Sequence, residues 1–173
     1  MNISPIFAAL TVFLFAQSTS QAEIVSSSND HFKLEMQAKS TLSSKEVWDR
    51  LIAPSEWWHA DHTYSGDAKN LTLNLTAGGL WREDWASGSV AHGRVLLAEP
   101  PRLLRLDAPF GPLQELAVES VWTITIAPDE AGSIVKFEFV ANGSTQSDLE
   151  ALAPTVDFVK SEALKNLVAL RER

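Results

Sequence analysis

The chain of 173 residues contains no cysteine. That removes disulfides, zinc–thiolate sites and thiol nucleophiles together, and it suits an oxidising compartment. Positive charge is scarce: 14 Lys and Arg stand against 22 Asp and Glu, a net charge of -8. So acidic a chain has no electrostatic footprint for a phosphate backbone, so nucleic acid is not an expected partner. An anionic membrane surface is disfavoured for the same reason. No apolar run reaches the roughly 20 residues that span a bilayer. A Gly-rich phosphate loop, a Ser-His-Asp order and a paired-carboxylate motif are missing too, and no cofactor is expected. Gly78-Gly79 ends a strand without opening a helix, so it reads as a turn. There are no internal repeats and no low-complexity tract. What remains is ordinary for one globular domain: 45% hydrophobic and 21% charged residues.

The N-terminal segment stands apart from that domain. Ile6 to Ala16 (IFAALTVFLFA) is a short apolar run, followed by a polar stretch and then by small residues at Ser20 and Ala22. This is the layout of a secretory signal, although no Lys or Arg precedes the run. Residues 1–22 are therefore expected to be a signal peptide cleaved after Ala22, and the protein to be exported, periplasmic or secreted. No stable membrane insertion is expected after cleavage. Residues 23–30, with Ser26-Ser27-Ser28, read as a flexible lead-in, and residues 31–173 as the folded domain.

From His31 the periodicities are legible. Phe32, Leu34, Met36 and Ala38 alternate with polar residues, as in a half-buried strand. Ser43-Ser44-Lys45-Glu46 is a capping box that opens a helix, with Val47, Trp48, Leu51 and Ile52 as its stripe and Pro54 as its stop. A loop carrying Trp57, Trp58, His59, His62 and Tyr64 follows. Strands are expected around Leu71 to Leu75, Leu80 to Ala86, Ser89 to Glu99 and Arg102 to Ala108, with a tight turn at Ser87-Gly88. Leu116 to Ala127 alternates, placing Leu116, Val118, Ser120, Trp122, Ile124 and Ile126 on one face. Pro128 to Gly132 turns the chain, and Val135, Phe137, Phe139 and Ala141 form the inner face of the last strand. After Asn142-Gly143 the period becomes helical: Leu152, Val156, Val159, Ala163, Leu167 and Leu170 recur, with Pro154 near the start. Strand, helix, about six strands and one long helix predict an α+β fold, a curved antiparallel sheet of about seven strands wrapped around the C-terminal helix.

Several short motifs resemble the START-like superfamily, also called SRPBCC, which has the helix-grip fold of the birch-pollen-allergen proteins. They are Pro54 to Trp58 (PSEWW), Tyr64 to Ala68 (YSGDA), Gly78-Gly79 with Trp81 and Glu83, Gly93-Arg94-Val95 followed by Pro100 to Leu103, and Gly111 to Gln114 (GPLQ). The chain looks most like the branch named after the activator of the heat-shock chaperone ATPase and the polyketide cyclases. The resemblance covers about His31 to Arg171. It implies a cavity between sheet and helix that often holds lipids, polyketides or other apolar molecules. It does not imply one reaction, because one fold hosts many functions. Many members carry a His near the end of the last strand, where this chain reads Val140-Ala141-Asn142-Gly143. An exported chain would not meet the cytosolic chaperone, so that role is set aside.

The candidate ligand-binding residues are Trp57, Trp58, Trp81, Glu83, Trp85, His92, Trp122 and Phe139. Trp57 and Trp58 lie in the loop that would lid the cavity, or they plug the core. Trp81, Glu83 and Trp85 share one face of a strand, which is either the cavity wall or an edge that meets water. A carboxylate among indoles needs a partner. If Ser87-Gly88 is a two-residue turn, Glu83 lies opposite His92 and Trp81 opposite Arg94. A three-residue turn would put Glu83 opposite Gly93 and two arginines opposite each other, which is unfavourable. Glu83 and His92 are the acid–base candidates. His59, Asp61 and His62 do not have the spacing of a zinc helix, so no metal site is assigned. Asn70, Asn74 and Asn142 open glycosylation sequons. Three functions stay open: an exported binding protein for a small, largely apolar molecule; a cyclase- or hydrolase-type enzyme using Glu83 and His92; and a protein-interaction module. Oligomeric state is not readable.

Overall fold

A computed structural model describes residues 21–170. The apolar run Ile6–Ala16 lies outside the described residues. Eight strands form one antiparallel sheet in the order β1-β2-β8-β7-β6-β5-β4-β3. They are β1 (Gln21–Ser28), β2 (His31–Ser40), β3 (Leu71–Leu73), β4 (Leu80–Trp85), β5 (Gly88–Glu99), β6 (Leu103–Asp107), β7 (Glu119–Asp129) and β8 (Gly132–Asn142). Helix α1 (Ser44–Leu51) follows β2, the one-turn α2 (Pro112–Glu115) precedes β7, and α3 (Leu149–Val168) ends the fold. The α+β fold class and its curved sheet gripping a long C-terminal helix stand as expected.

The period-two residues do what their spacing dictates. On β2 and β8, and on β7 from Ser120 to Ile126, every second residue is buried, including Phe32, Leu34, Trp122, Ile124, Phe137 and Phe139. Their inner face packs under α3. The capping box is formed in full: the Glu46 backbone N–H donates to the Ser43 hydroxyl and the Ser43 N–H to the Glu46 carboxylate. Val47, Trp48 and Leu51 of α1 are buried. The long helix is fastened at both ends: the Leu149 N–H donates to the Asn29 carbonyl at 2.9 Å, and the Ser40 hydroxyl donates to the Val168 carbonyl at 3.0 Å.

Four expectations are corrected. Residues 23–30 are not a loose lead-in: through Ser28 they belong to β1, which pairs with β2 from Gln21↔Gln37 to Ser28↔His31. Their side chains are exposed, so side-chain pattern carried no signal. What orders them is the free edge of β2, whose unpaired N–H and C=O groups template another strand. The expected cleavage point after Ala22 falls inside this strand. Leu116 is not part of the inner face of β7; α2 and its exit precede the strand, and Leu116 is exposed. Leu170 lies past the helix end and is also exposed. The fourth correction is the hairpin register. The turn is Ala86-Ser87, pairing Trp85 with Gly88 and Glu83 with Val90. The register then shifts, so that Arg82 faces Ala91 while Trp81 faces Gly93. Neither anticipated register occurs: the turn lies one residue earlier than expected, and His92 is the extra residue of a β-bulge beyond it.

Candidate functional site

The bulge is what builds the site. An inserted residue re-aims its side chain, and here His92 and Gly93 are both buried beside Trp81. Gly93 has a reason of its own: a Cβ there would lie 2.6 Å from the Asp107 carbonyl and 3.0 Å from the Phe110 ring. With only hydrogen at that position, Phe110 settles onto the sheet. The Gln114 side-chain amide, donating to the Ala91 carbonyl at 3.0 Å, holds α2 against β5 next to it.

Glu83 and His92 meet despite the wrong register. His92 Nε2 lies 2.9 Å from Glu83 Oε2, and both residues are buried. Glu83 also accepts the backbone N–H of Tyr64 at 3.0 Å and of Ser65 at 2.6 Å. Burial pushes its pKa up, but these donors outweigh that, and the carboxyl is held below its ordinary value. Burial pushes His92 down; Glu83 opposes this and Lys160 adds to it. At neutral pH the pair is therefore a carboxylate and a neutral imidazole. The ring must then carry its proton on Nε2 to donate to Glu83, which leaves Nδ1 as the acceptor. Glu83 itself is occupied by three donors. It anchors the loop over the cavity and orients His92, and it does not line the wall.

Between sheet and α3 lies a cavity of about 490 Å3. Phe139 of β8, His92 of β5, Trp58 and Phe110 form its sheet side, Leu152, Thr155, Val156, Val159 and Lys160 its helix side, and His62, Thr63, Tyr64, Gly111, Pro112, Leu113 and Glu115 complete the lining. Of the candidate ligand-binding residues, Trp58, His92 and Phe139 line the cavity. Trp57, Trp81 and Trp122 are corrected to an aromatic layer behind the wall, where Trp81 and Trp122 stack at 5.9 Å and Trp57 meets Trp81 edge-on at 5.7 Å. Trp85 is corrected as well: its half-buried ring covers the turn, and a Cβ on Gly88 would lie 2.7 Å from it. The string His59-Ala60-Asp61-His62 is divided. His59 accepts its own turn's Asp61 N–H, while His62 Nε2 reaches Glu162 of α3 at 2.9 Å and ties the loop to the helix.

The residue that sequence reasoning missed is Lys160. It is 2% exposed, and its Nζ has no hydrogen-bond partner among the described residues. Instead it lies 3.4 Å from the Trp122 ring centroid, 4.4 Å from Phe110, 4.8 Å from Phe139 and 5.4 Å from Trp58. Burial drives its pKa well below the ordinary lysine value. A ring facing a desolvated cation returns about 2 kcal/mol, while stripping an unpaired ammonium of water costs several. Burial thus works against the charged form, and the amine gives up its proton far more readily than a surface lysine. The signal was present: Val156, Lys160, Ala163 and Leu167 follow the i, i+4, i+7, i+11 spacing of one helix face.

No family model matches the chain, and no curated protein matches it. Solved structures share its fold. An uncharacterized protein from Rhizobium leguminosarum aligns at a TM-score of 0.55 with 18% identity, covering 86% of this chain and 97% of that one. Protein Ms6760 from Mycobacterium smegmatis aligns at 0.55 with 15% identity over 82% and 93%. Protein CV1439 from Chromobacterium violaceum aligns at 0.54 with 19% identity over 82% and 98%. At such identities the likeness is one of fold, and the fold fixes no activity.

Proposed function

We propose that this chain is a START-like binding protein for a small, largely apolar molecule held between the sheet and α3. The observation that carries the reading is the cavity of about 490 Å3, walled by aromatic and aliphatic side chains with a few polar groups. Its size lies within the ~300–1,000 Å3 of ligand pockets, and a few polar groups on an apolar wall are what fix a ligand's orientation. The superfamily assignment is supported by the fold and by the PSEWW, YSGDA and GPLQ segments at the cavity mouth and lid. Export through residues 1–22 is proposed on the apolar run and the Ser20-Gln21-Ala22 site; intact mass of the native-host protein tests it, and a soluble chain still starting at Met1 counts against it. Ligand binding is tested by titration with a naphthalene dye. Saturable quenching of tryptophan emission is expected, since Trp58 lines the wall. Its loss in Val156→Trp, with folding retained, is expected too; absence of saturation in the wild type sinks the reading.

A second reading is favoured by one contact, the buried His92–Glu83 pair at 2.9 Å. A neutral imidazole whose tautomer is fixed by a carboxylate is a competent general base. In this reading His92 takes a proton from the bound molecule and Glu83 positions it. Turnover lost in His92→Gln with affinity kept would separate an enzyme from a binding protein.

A further inference from the structure

We propose that Lys160 is a nucleophilic amine and that the molecule held in the cavity is an apolar aldehyde or ketone, captured as an imine on Nζ. This rests on the binding reading above and names its ligand class. The geometry behind it is a lysine 2% exposed, lining the cavity, with no hydrogen-bond partner and no ion pair among the described residues. A buried amine without a counter-ion is a poor structural element, because each unmet donor has a desolvation cost. It is a good nucleophile, because its lone pair is not protonated away. Burial lowers its proton affinity in the required direction.

The ligand class follows from what would satisfy that nitrogen. A carboxylate would need Lys160 charged and would bring a second charge out of water, beside an amine whose nearest neighbours are the rings of Trp122, Phe110 and Phe139. A carbonyl compound enters uncharged. Nζ attacks the carbonyl carbon and the C=O π pair moves to oxygen. One N–H proton passes to that oxygen, giving a carbinolamine. The nitrogen lone pair then forms C=N as hydroxide departs. That hydroxide takes up the second N–H proton, so one carbonyl and one amine give one imine and one water. The two unmet N–H donors disappear in the product. His92 stands on the same Phe110 ring as Lys160, its ring centroid 5.4 Å from Phe110 and Nζ 4.4 Å from it. Its free Nδ1 can relay the protons through a water, and Glu83 fixes the tautomer that leaves Nδ1 open.

The test is reductive trapping at pH 7 with 2-naphthaldehyde and cyanoborohydride, read by intact mass and peptide mapping. The proposal expects one naphthylmethyl adduct, on Lys160, formed at least about tenfold faster than on any of the six other lysines. The adduct should vanish in Lys160→Met and Lys160→Arg, while 2-methylnaphthalene, which has no carbonyl, still binds Lys160→Met. Labelling of Lys160 no faster than of surface lysines, with 2-methylnaphthalene bound normally, would overturn the imine and leave the cavity reading standing. Lys160-dependent binding of 2-naphthoate tighter than of 2-naphthaldehyde would overturn it in favour of a cationic anchor. If the wild type binds none of the three, the binding reading itself falls.

Discussion

A lysine buried among aromatic rings has a consequence that can be measured without knowing any ligand. In the unfolded chain Lys160 titrates near the usual ~10.4; in the folded protein burial holds it well below that. Between the two values the unfolded state binds one more proton than the native state. Stability then rises with pH by about 1.4 kcal/mol per unit. From pH 7.5 to 9.5 the gain is up to about 2.7 kcal/mol by the same relation. No cysteine titrates in this window. His92 is displaced downward, away from it. Lys33, raised by its hydrogen bond to Glu35, acts in the opposite sense only above the ordinary lysine range. Urea unfolding followed by circular dichroism at several pH values gives the slope directly. Lys160→Met should abolish it and should be more stable than wild type at pH 7.5 by about 1–3 kcal/mol, the cost of the unmet amine. A wild-type stability that is flat across this window would mean that the rings hold a protonated lysine, and the reasoning about desolvation would be refuted. So would a Lys160→Met variant that keeps the slope.

Three further outcomes follow from the polar pair and the first helix. A double-mutant cycle of Glu83→Gln and His92→Gln should give a coupling of about 0.5–3 kcal/mol in urea unfolding; additive losses would mean that the 2.9 Å contact is not energetic. The lowered His92 value makes the unfolded state the stronger proton binder just below pH ~6.5, so stability should fall as pH drops through that range. Glu83, also lowered, adds a loss further down, below ~4.3, as it protonates through its folded value. His92→Gln should make the upper part of the decline shallower by the His92 share, and superimposable wild-type and variant profiles would count against the burial of His92. Ser43→Ala breaks the capping box and should cost about 1 kcal/mol, read as a lower urea midpoint with unchanged slope; no loss would mean the cap contributes nothing to the folded state.

The fold was legible because its signals are periodic and local. Alternation on β2, β7 and β8 and the Ser43–Glu46 box need no tertiary information. β1 was not legible, because the exposed side chains of Glu23 to Ser28 say nothing about an edge that lies beyond them. The Glu83–His92 contact was reached through a wrong register. The turn lies one residue earlier than expected, which moves the pairing by two positions and puts Val90 opposite Glu83, and it is the bulge at His92 that brings the imidazole to the carboxylate all the same. Face assignment separated inside from outside but could not separate cavity wall from the layer behind it. Trp81 and Trp122 share their faces with true lining residues, and only the depth of the packing puts them second. Lys160 was passed over because a lysine on an apolar helix face is read as a long side chain reaching for water. Here Lys160 lies on the buried face of α3, and its amine ends among the rings of Trp58, Phe110, Trp122 and Phe139 instead of in water.

The claim that joins these observations is that a small apolar molecule sits between the sheet and α3. The direct measurement is the set of intermolecular NOEs from 2-methylnaphthalene to the side chains of the isotope-labelled protein. The account predicts NOEs to the methyl groups of Leu152, Val156 and Val159 and to the Phe139 ring, all lost in Val156→Trp. NOEs confined to exposed residues such as Leu96 and Val121, or none at saturating ligand, would contradict it.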